Sequence, residues 1–170
     1  ERCGELGIKY LTLCVFSTEN WERDEKEVSG LMQLFRKALQ TKVLRFIEKG
    51  ARLKMIGNIE RFPADIQEGL RQAMKLSEKN DKITVTYALN YGGRDEILRA
   101  MSKMMSNYEE TPSAPGVPTR DTLAPPVKES PLITEEEFSK YLDTAGMSDP
   151  DLIIRTGGAQ RMSGFMPWQG

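Results

Sequence analysis

Tyr10-Leu11-Thr12-Leu13-Cys14-Val15-Phe16, followed at once by Ser17-Thr18-Glu19-Asn20-Trp21, is the stretch on which the fold turns. The near-continuous apolar run reads as a buried strand of a parallel sheet. The polar residues after Phe16 then form a loop at the carboxyl end of that strand. Outward from it the pattern alternates. A helix is expected from about Glu25 to Lys49, where Val28, Leu31, Met32, Leu34, Phe35, Ala38, Leu39, Val43, Phe46 and Ile47 recur at three- and four-residue spacing. Gly50 suits its C-cap.

A second strand, Arg52 to Ile56, ends at Gly57-Asn58. Pro63 opens a second helix to about Lys79, with Ile66, Leu70, Ala73, Met74 and Leu76 inward. Ile83 to Leu89 is a third strand, broken by Asn90-Tyr91-Gly92-Gly93-Arg94-Asp95, and a third helix runs from about Asp95 to Met105. The methionines Met101, Met104 and Met105 are most simply core filling. Thr134-Glu135-Glu136-Glu137 has the look of a capped start for a helix to about Asp143. Leu152 to Ile154 reads as one more buried strand. Alternating strands and helices specify an α/β fold, a mostly parallel central sheet flanked by helices, as a single domain over residues 1–170. Residues 107–131, with six prolines among Ser, Thr and Gly, form a loop insertion within it.

Charge and cysteine content exclude several functions. Lys and Arg total 24 against 25 acidic residues, for a net charge of −1, which argues against a general nucleic-acid binder or a polybasic membrane surface. There is no histidine, and the two cysteines, Cys3 and Cys14, form no CxxC. A histidine triad, a Cys/His zinc site and a disulfide framework are therefore excluded in this segment. Buried reduced thiols in an intracellular compartment fit both cysteines. No apolar run approaches the roughly 20 residues that span a bilayer, and no signal-peptide pattern is visible. The chain opens on Glu1 and breaks off at Trp168-Gln169-Gly170, which reads as a fragment truncated on both sides.

The chemistry is expected at the carboxyl ends of the strands, where open α/β sheets hold their ligands. Asp149-Pro150-Asp151-Leu152-Ile153-Ile154-Arg155-Thr156-Gly157-Gly158 leads into Arg161-Met162-Ser163. Guanidinium forks, freed backbone and a hydroxyl are what a phosphate or diphosphate needs. The plainer reading, carboxylate-paired arginines around a turn, fits the spacing equally well. Ser17 to Trp21 and Asn90 to Asp95 fall at the same edge if the strands are parallel. Taken singly, the first is a helix-capping loop and the second a strand-to-helix turn; neither GxxxxGK[ST] nor GxGxxG occurs.

Together these segments carry a resemblance. Phe-Ser-Thr-Glu-Asn-Trp at 16–21, Asn-Tyr-Gly-Gly-Arg-Asp-Glu-Ile at 90–97, and Asp-Pro-Asp-Leu-Ile-Ile-Arg-Thr-Gly-Gly from Asp149, with Arg161-Met162-Ser163 and Phe165-x-x-Trp168-Gln169, resemble the cis-prenyltransferase family. That is the family of undecaprenyl and dehydrodolichyl diphosphate synthases. The resemblance covers nearly the whole chain, in order, apart from the proline-rich insertion.

The resemblance implies chain elongation: isopentenyl diphosphate condensed in cis onto an allylic diphosphate such as farnesyl diphosphate, giving a long-chain polyprenyl diphosphate. It implies Arg155, Arg161, Met162 and Ser163 at the isopentenyl diphosphate, with Asn20 as the catalytic asparagine. Ser17, Thr18 and Glu19 would form the substrate-contacting loop, with Trp21 and Arg23 near the allylic substrate. The growing tail would lie in an apolar tunnel, with Leu31, Leu34 and Phe35 as a candidate wall. Magnesium is implied as cofactor, as are a homodimer, delivery of the product to a membrane and no nucleic acid. An intracellular location, cytoplasmic or organellar, fits, with any targeting segment preceding Glu1. The family's Asp-Gly-Asn-Gly-Arg-Trp motif is absent, and its glutamate after Trp-Gln falls beyond Gly170. No metal ligand is therefore expected in this segment, which should be inactive alone. Ala159 stands where the family has glutamate, and Gly164 where it has Asn or Asp. Two rivals remain: a non-catalytic partner subunit of such an enzyme, and an unrelated phosphate-binding module.

Overall fold

The computed structural model describes residues 2–110, 133–158 and 161–170. Most of the insertion expected at 107–131, and Ala159, lie outside the described residues. The elements run in the order α1 (Arg2–Glu5), β1 (Tyr10–Ser17), a 3-10 turn (Thr18–Glu22), α2 (Glu25–Ala38), a π turn (Leu39–Val43), α3 (Leu44–Glu48), β2 (Ala51–Ile56), α4 (Ala64–Leu76), β3 (Ile83–Tyr91), α5 (Gly93–Glu110) and α6 (Glu135–Ser139). The three strands form one parallel sheet in the order β1-β3-β2.

Contacts divide the chain into two units, Glu1–Asp95 with Asp149–Gly170, and Glu96–Ser148. In the first, β3 is the central strand and is buried at two of every three residues (Ile83, Val85, Thr86, Ala88, Leu89, Tyr91). This matches its place between two partners. One core cluster gathers Phe16, Met32, Ile59, Phe62, Ile66 and Leu89. Within it Phe16, Trp21, Phe35 and Phe62 meet edge to face at centroid separations of 4.8–6.0 Å, the arrangement aromatic quadrupoles favour. A second cluster joins Val43, Ala51, Leu53, Ala73, Ile83 and Val85. Ser77, fully buried, locks the end of α4 to β2: its Oγ donates to the Ala73 carbonyl and accepts the Leu53 N–H, both at 2.9 Å.

In the second unit Ala100 and Met104 of α5 pack on Phe138 and Leu142. Arg99 grips Asp143 through two bonds of 2.8 and 2.6 Å. The buried Glu96 carboxylate accepts the Asp143 N–H at 3.0 Å.

Several expectations are corrected. Leu152 to Ile154 forms no strand, and Leu152 and Ile154 are 75% and 78% exposed. Apolar composition gives a segment strand propensity, but a strand also needs a backbone partner, and among the described residues the sheet pairings join β1, β3 and β2. β1, an edge strand, leaves Leu13, Val15 and Cys14 exposed rather than buried. The 25–49 helix is interrupted by the π turn, where the Thr41 hydroxyl donates back to the Lys37 carbonyl at 2.7 Å; such turns shift the facing residues of a helix. Leu34 and Leu76 point to solvent, as do Met101 and Met105, whereas Met104 is the core methionine.

Candidate functional site

β1 carries its register with β3 cleanly from Tyr10 to Cys14, then slips: Phe16 faces Leu89 and Ser17 faces Tyr91. Irregular pairing of this kind re-aims side chains at a strand end. Phe16 turns into the aromatic core and Ser17 leads the chain out into the 3-10 turn. The Ser17 N–H donates to Asn20 Oδ1 at 2.9 Å, so the amide of Asn20 closes the start of that turn on itself.

Glu19 is exposed, yet its carboxyl is held below the usual carboxylate range. Its own backbone N–H is the largest cause, followed by the hydroxyls of Ser17 and, more weakly, Thr18. Ser17 and Thr18 thus favour the ionised form of Glu19. Trp21 is half-buried against Phe16 and Phe62. Its indole N–H donates to Asn90 Oδ1 at 2.8 Å, and the Arg61 guanidinium lies 4.6 Å above its ring. Arg23 pairs with Glu27 one helical turn on.

The two glycines that end β3 join this loop to the C-terminal segment. A Cβ on Gly92 would stand 2.7 Å from Thr18 Oγ1, so only glycine lets the loop approach so closely. A Cβ on Gly93 would fall 2.1 Å from Pro167 Cδ, and the Gly93 N–H donates to the Gly164 carbonyl at 2.9 Å. The segment after β3 therefore lies against the Thr18 side chain on one side and against Gly164 and Pro167 on the other.

In the C-terminal segment, Arg155 Nη1 donates both to Ser163 Oγ, at 3.0 Å, and to the Arg161 carbonyl. Gly157, Gly158 and Ser163 all adopt left-handed backbone (φ 89°, 73° and 50°), folding the chain so that Arg155 meets Ser163. Arg155, Arg161, Met162 and Ser163 are all exposed. Partial burial pushes the Cys14 thiol up, and the Arg155 charge opposes that rise.

Of the expected site residues, Ser17 to Trp21 are assembled on one turn and Arg155 with Ser163 on another. The Arg161 contribution to the second group is its carbonyl. Sequence reasoning missed Asn90 and Arg61 as partners of Trp21, Asn58 as partner of Asn90, and Glu27 as partner of Arg23. Asn58 follows β2 after Gly57 and Asn90 is the penultimate residue of β3, so both lie at the carboxyl ends of strands, the rule that selected the other residues. Among the described residues no three Asp, Glu or Cys side chains come together to hold a metal ion. No described helix is long and apolar enough to cross a membrane.

The family described as "Putative undecaprenyl diphosphate synthase" matches this chain over residues 1–170. The isoprenyl transferase of Clostridium perfringens is 39% identical over 169 residues, covering 99% of this chain and 61% of its own length. That of Neisseria meningitidis serogroup A is 42% identical over 169 residues, with 99% and 60% covered. The chain thus spans about three fifths of these relatives. Among solved structures, a probable undecaprenyl diphosphate synthase from Campylobacter jejuni superposes with a TM-score of 0.78 at 29% identity, covering 98% of this chain and 70% of that one. Lavandulyl diphosphate synthase from Lavandula x intermedia, in complex with dimethylallyl diphosphate, gives 0.84 at 30%, covering 99% and 66%.

Proposed function

The chain belongs to the undecaprenyl diphosphate synthase family, and from that premise we propose that the protein elongates prenyl chains. It condenses isopentenyl diphosphate onto an allylic diphosphate such as farnesyl diphosphate and releases a long-chain cis-polyprenyl diphosphate. The observation that carries this reading is the pairing of Arg155 with Ser163 beside the Arg161 backbone. A guanidinium already held by a hydroxyl is oriented before an anion arrives, and charge-assisted bonds to diphosphate oxygens are about twice as strong as neutral ones. Relatives named isoprenyl transferases, and a structural neighbour binding dimethylallyl diphosphate, support the substrate class.

In this reading Arg155, Arg161, Met162 and Ser163 hold isopentenyl diphosphate. Ser17, Thr18 and Glu19 shape the loop facing it, and Trp21 and Arg23 border the allylic substrate. Asn20 holds and orients the reacting isopentenyl unit and takes part in removing its proton. An amide is too weak a base to keep that proton, so its part is transfer and positioning. Leu31 and Phe35, packed on the aromatic core, remain candidates for the tail's wall; Leu34 is on the solvent side. Magnesium chemistry belongs to the family, and among the described residues no three Asp, Glu or Cys side chains gather to hold the ion. The segment by itself is inactive in this account, and the whole protein acts as a homodimer.

The alternative is a non-catalytic partner subunit, favoured by Ala159 where the family carries glutamate. The two readings separate in one assay: the full-length protein, purified alone, is given isopentenyl and farnesyl diphosphates with magnesium. Radiolabelled long-chain product supports the enzyme. No product alone, with product on adding a catalytic homologue, supports the partner.

A further inference from the structure

Asn90, next to last in β3, takes a left-handed conformation, φ 47°, which non-glycine residues adopt rarely and Asn more readily than most. Glycine would hold this backbone with less strain, so an asparagine here is there for its side chain. Both ends of that side chain are engaged. Oδ1 accepts the Trp21 indole N–H at 2.8 Å, from the loop that follows β1. Nδ2 donates to the Asn58 carbonyl at 2.7 Å, from the loop that follows β2. The Asn58 N–H in turn donates to the Asn90 carbonyl at 3.4 Å, and Asn58 Oδ1 caps Glu60 N–H at 2.9 Å. One amide thus ties the loops of both outer strands to the end of the central one. Arg61, three residues after Asn58, places its guanidinium 4.6 Å from the centre of the Trp21 ring.

We infer that Asn90 is a positioning residue that fixes Trp21, and with it the allylic side of the site. This rests on the proposed function for the claim that Trp21 borders the allylic substrate. An amide is the group that fits, because it accepts and donates at once. Aspartate keeps the acceptor for the indole and loses the donor to Asn58. Glycine loses both bonds and removes the backbone strain, so its variant tests the side chain without threatening the fold.

The test uses the full-length protein. The indole N–H resonance of Trp21, assigned by its loss in Trp21→Phe, is followed for exchange with solvent in wild type, Asn90→Asp and Asn90→Gly. Steady-state constants are measured for both substrates in the same proteins. The expected result is at least tenfold faster exchange in Asn90→Gly and slow exchange retained in Asn90→Asp. The KM for the allylic diphosphate rises about tenfold in Asn90→Gly, while that for isopentenyl diphosphate stays within twofold. Unchanged exchange, or faster exchange with both KM values unmoved, overturns the assignment. An inactive wild type sinks the proposed function instead, a result separate from either.

Discussion

Arg155 Nη1 donates to Ser163 Oγ at 3.0 Å, joining residues eight apart across a turn in which Gly157 and Gly158 are both left-handed. The bond holds the guanidinium in place without spending its charge on a carboxylate. Arg36, by contrast, is paired with Asp65, and Arg99 with Asp143. A guanidinium oriented by neutral oxygens keeps its full attraction for an anion, and this separates the C-terminal turn from the structural arginines.

Gly93 couples the end of β3 to the Gly164 turn and has no room for a side chain. Gly93→Ala would set a Cβ 2.1 Å from Pro167 Cδ and 2.6 Å from the Gly164 carbonyl oxygen. Overpacking of this kind costs about 1–3 kcal/mol. Thermal unfolding of the variant should show a clear fall in Tm; an unchanged Tm would mean the two segments do not lie together.

Glu19 supplies a pH dependence with a definite sign. Its carboxyl is lowered by its own N–H and by the Ser17 and Thr18 hydroxyls. The turn is therefore fully stabilised above the ordinary carboxylate range, and that contribution is lost as pH falls through the lowered value. A carboxyl-carbon NMR titration should find Glu19 below the other exposed glutamates, and Ser17→Ala should move its midpoint upward. A midpoint indifferent to Ser17 would break the group apart.

Asn20 closes its own turn through the Ser17 N–H, so Asn20→Ala removes a brace as well as the proposed chemistry. Turnover should fall much more than KM rises, as for a group whose main interaction is made in the transition state. Rapid-quench single-turnover kinetics would read this directly. A rate of the chemical step equal to wild type would take Asn20 out of the mechanism.

The sheet was readable where the pattern and the neighbours agreed. Ile83 to Tyr91 is buried between two strands, so its burial reports its partners as well as its composition. Leu152 to Ile154 carries a similar apolar signal and forms no strand, because composition does not say whether an edge is available. Within the site, chemistry legible in residue types was found: Ser17 to Trp21 on one turn, Arg155 with Ser163 on another. Trp21's neighbours were not. Asn90 and Asn58 look like turn residues in sequence, and their use as a tie depends on strand order β1-β3-β2, which local spacing does not encode. Arg61 reaches Trp21 from 40 residues away in the chain for the same reason.

The most direct test of the account is the KM for isopentenyl diphosphate in the full-length protein carrying Arg155→Ala. Loss of a charge-assisted contact is worth about 1.5–3 kcal/mol, so KM should rise roughly tenfold to more than a hundredfold, while the KM for the allylic diphosphate changes little. An isopentenyl diphosphate KM equal to wild type would contradict the assignment of this turn as the diphosphate cradle.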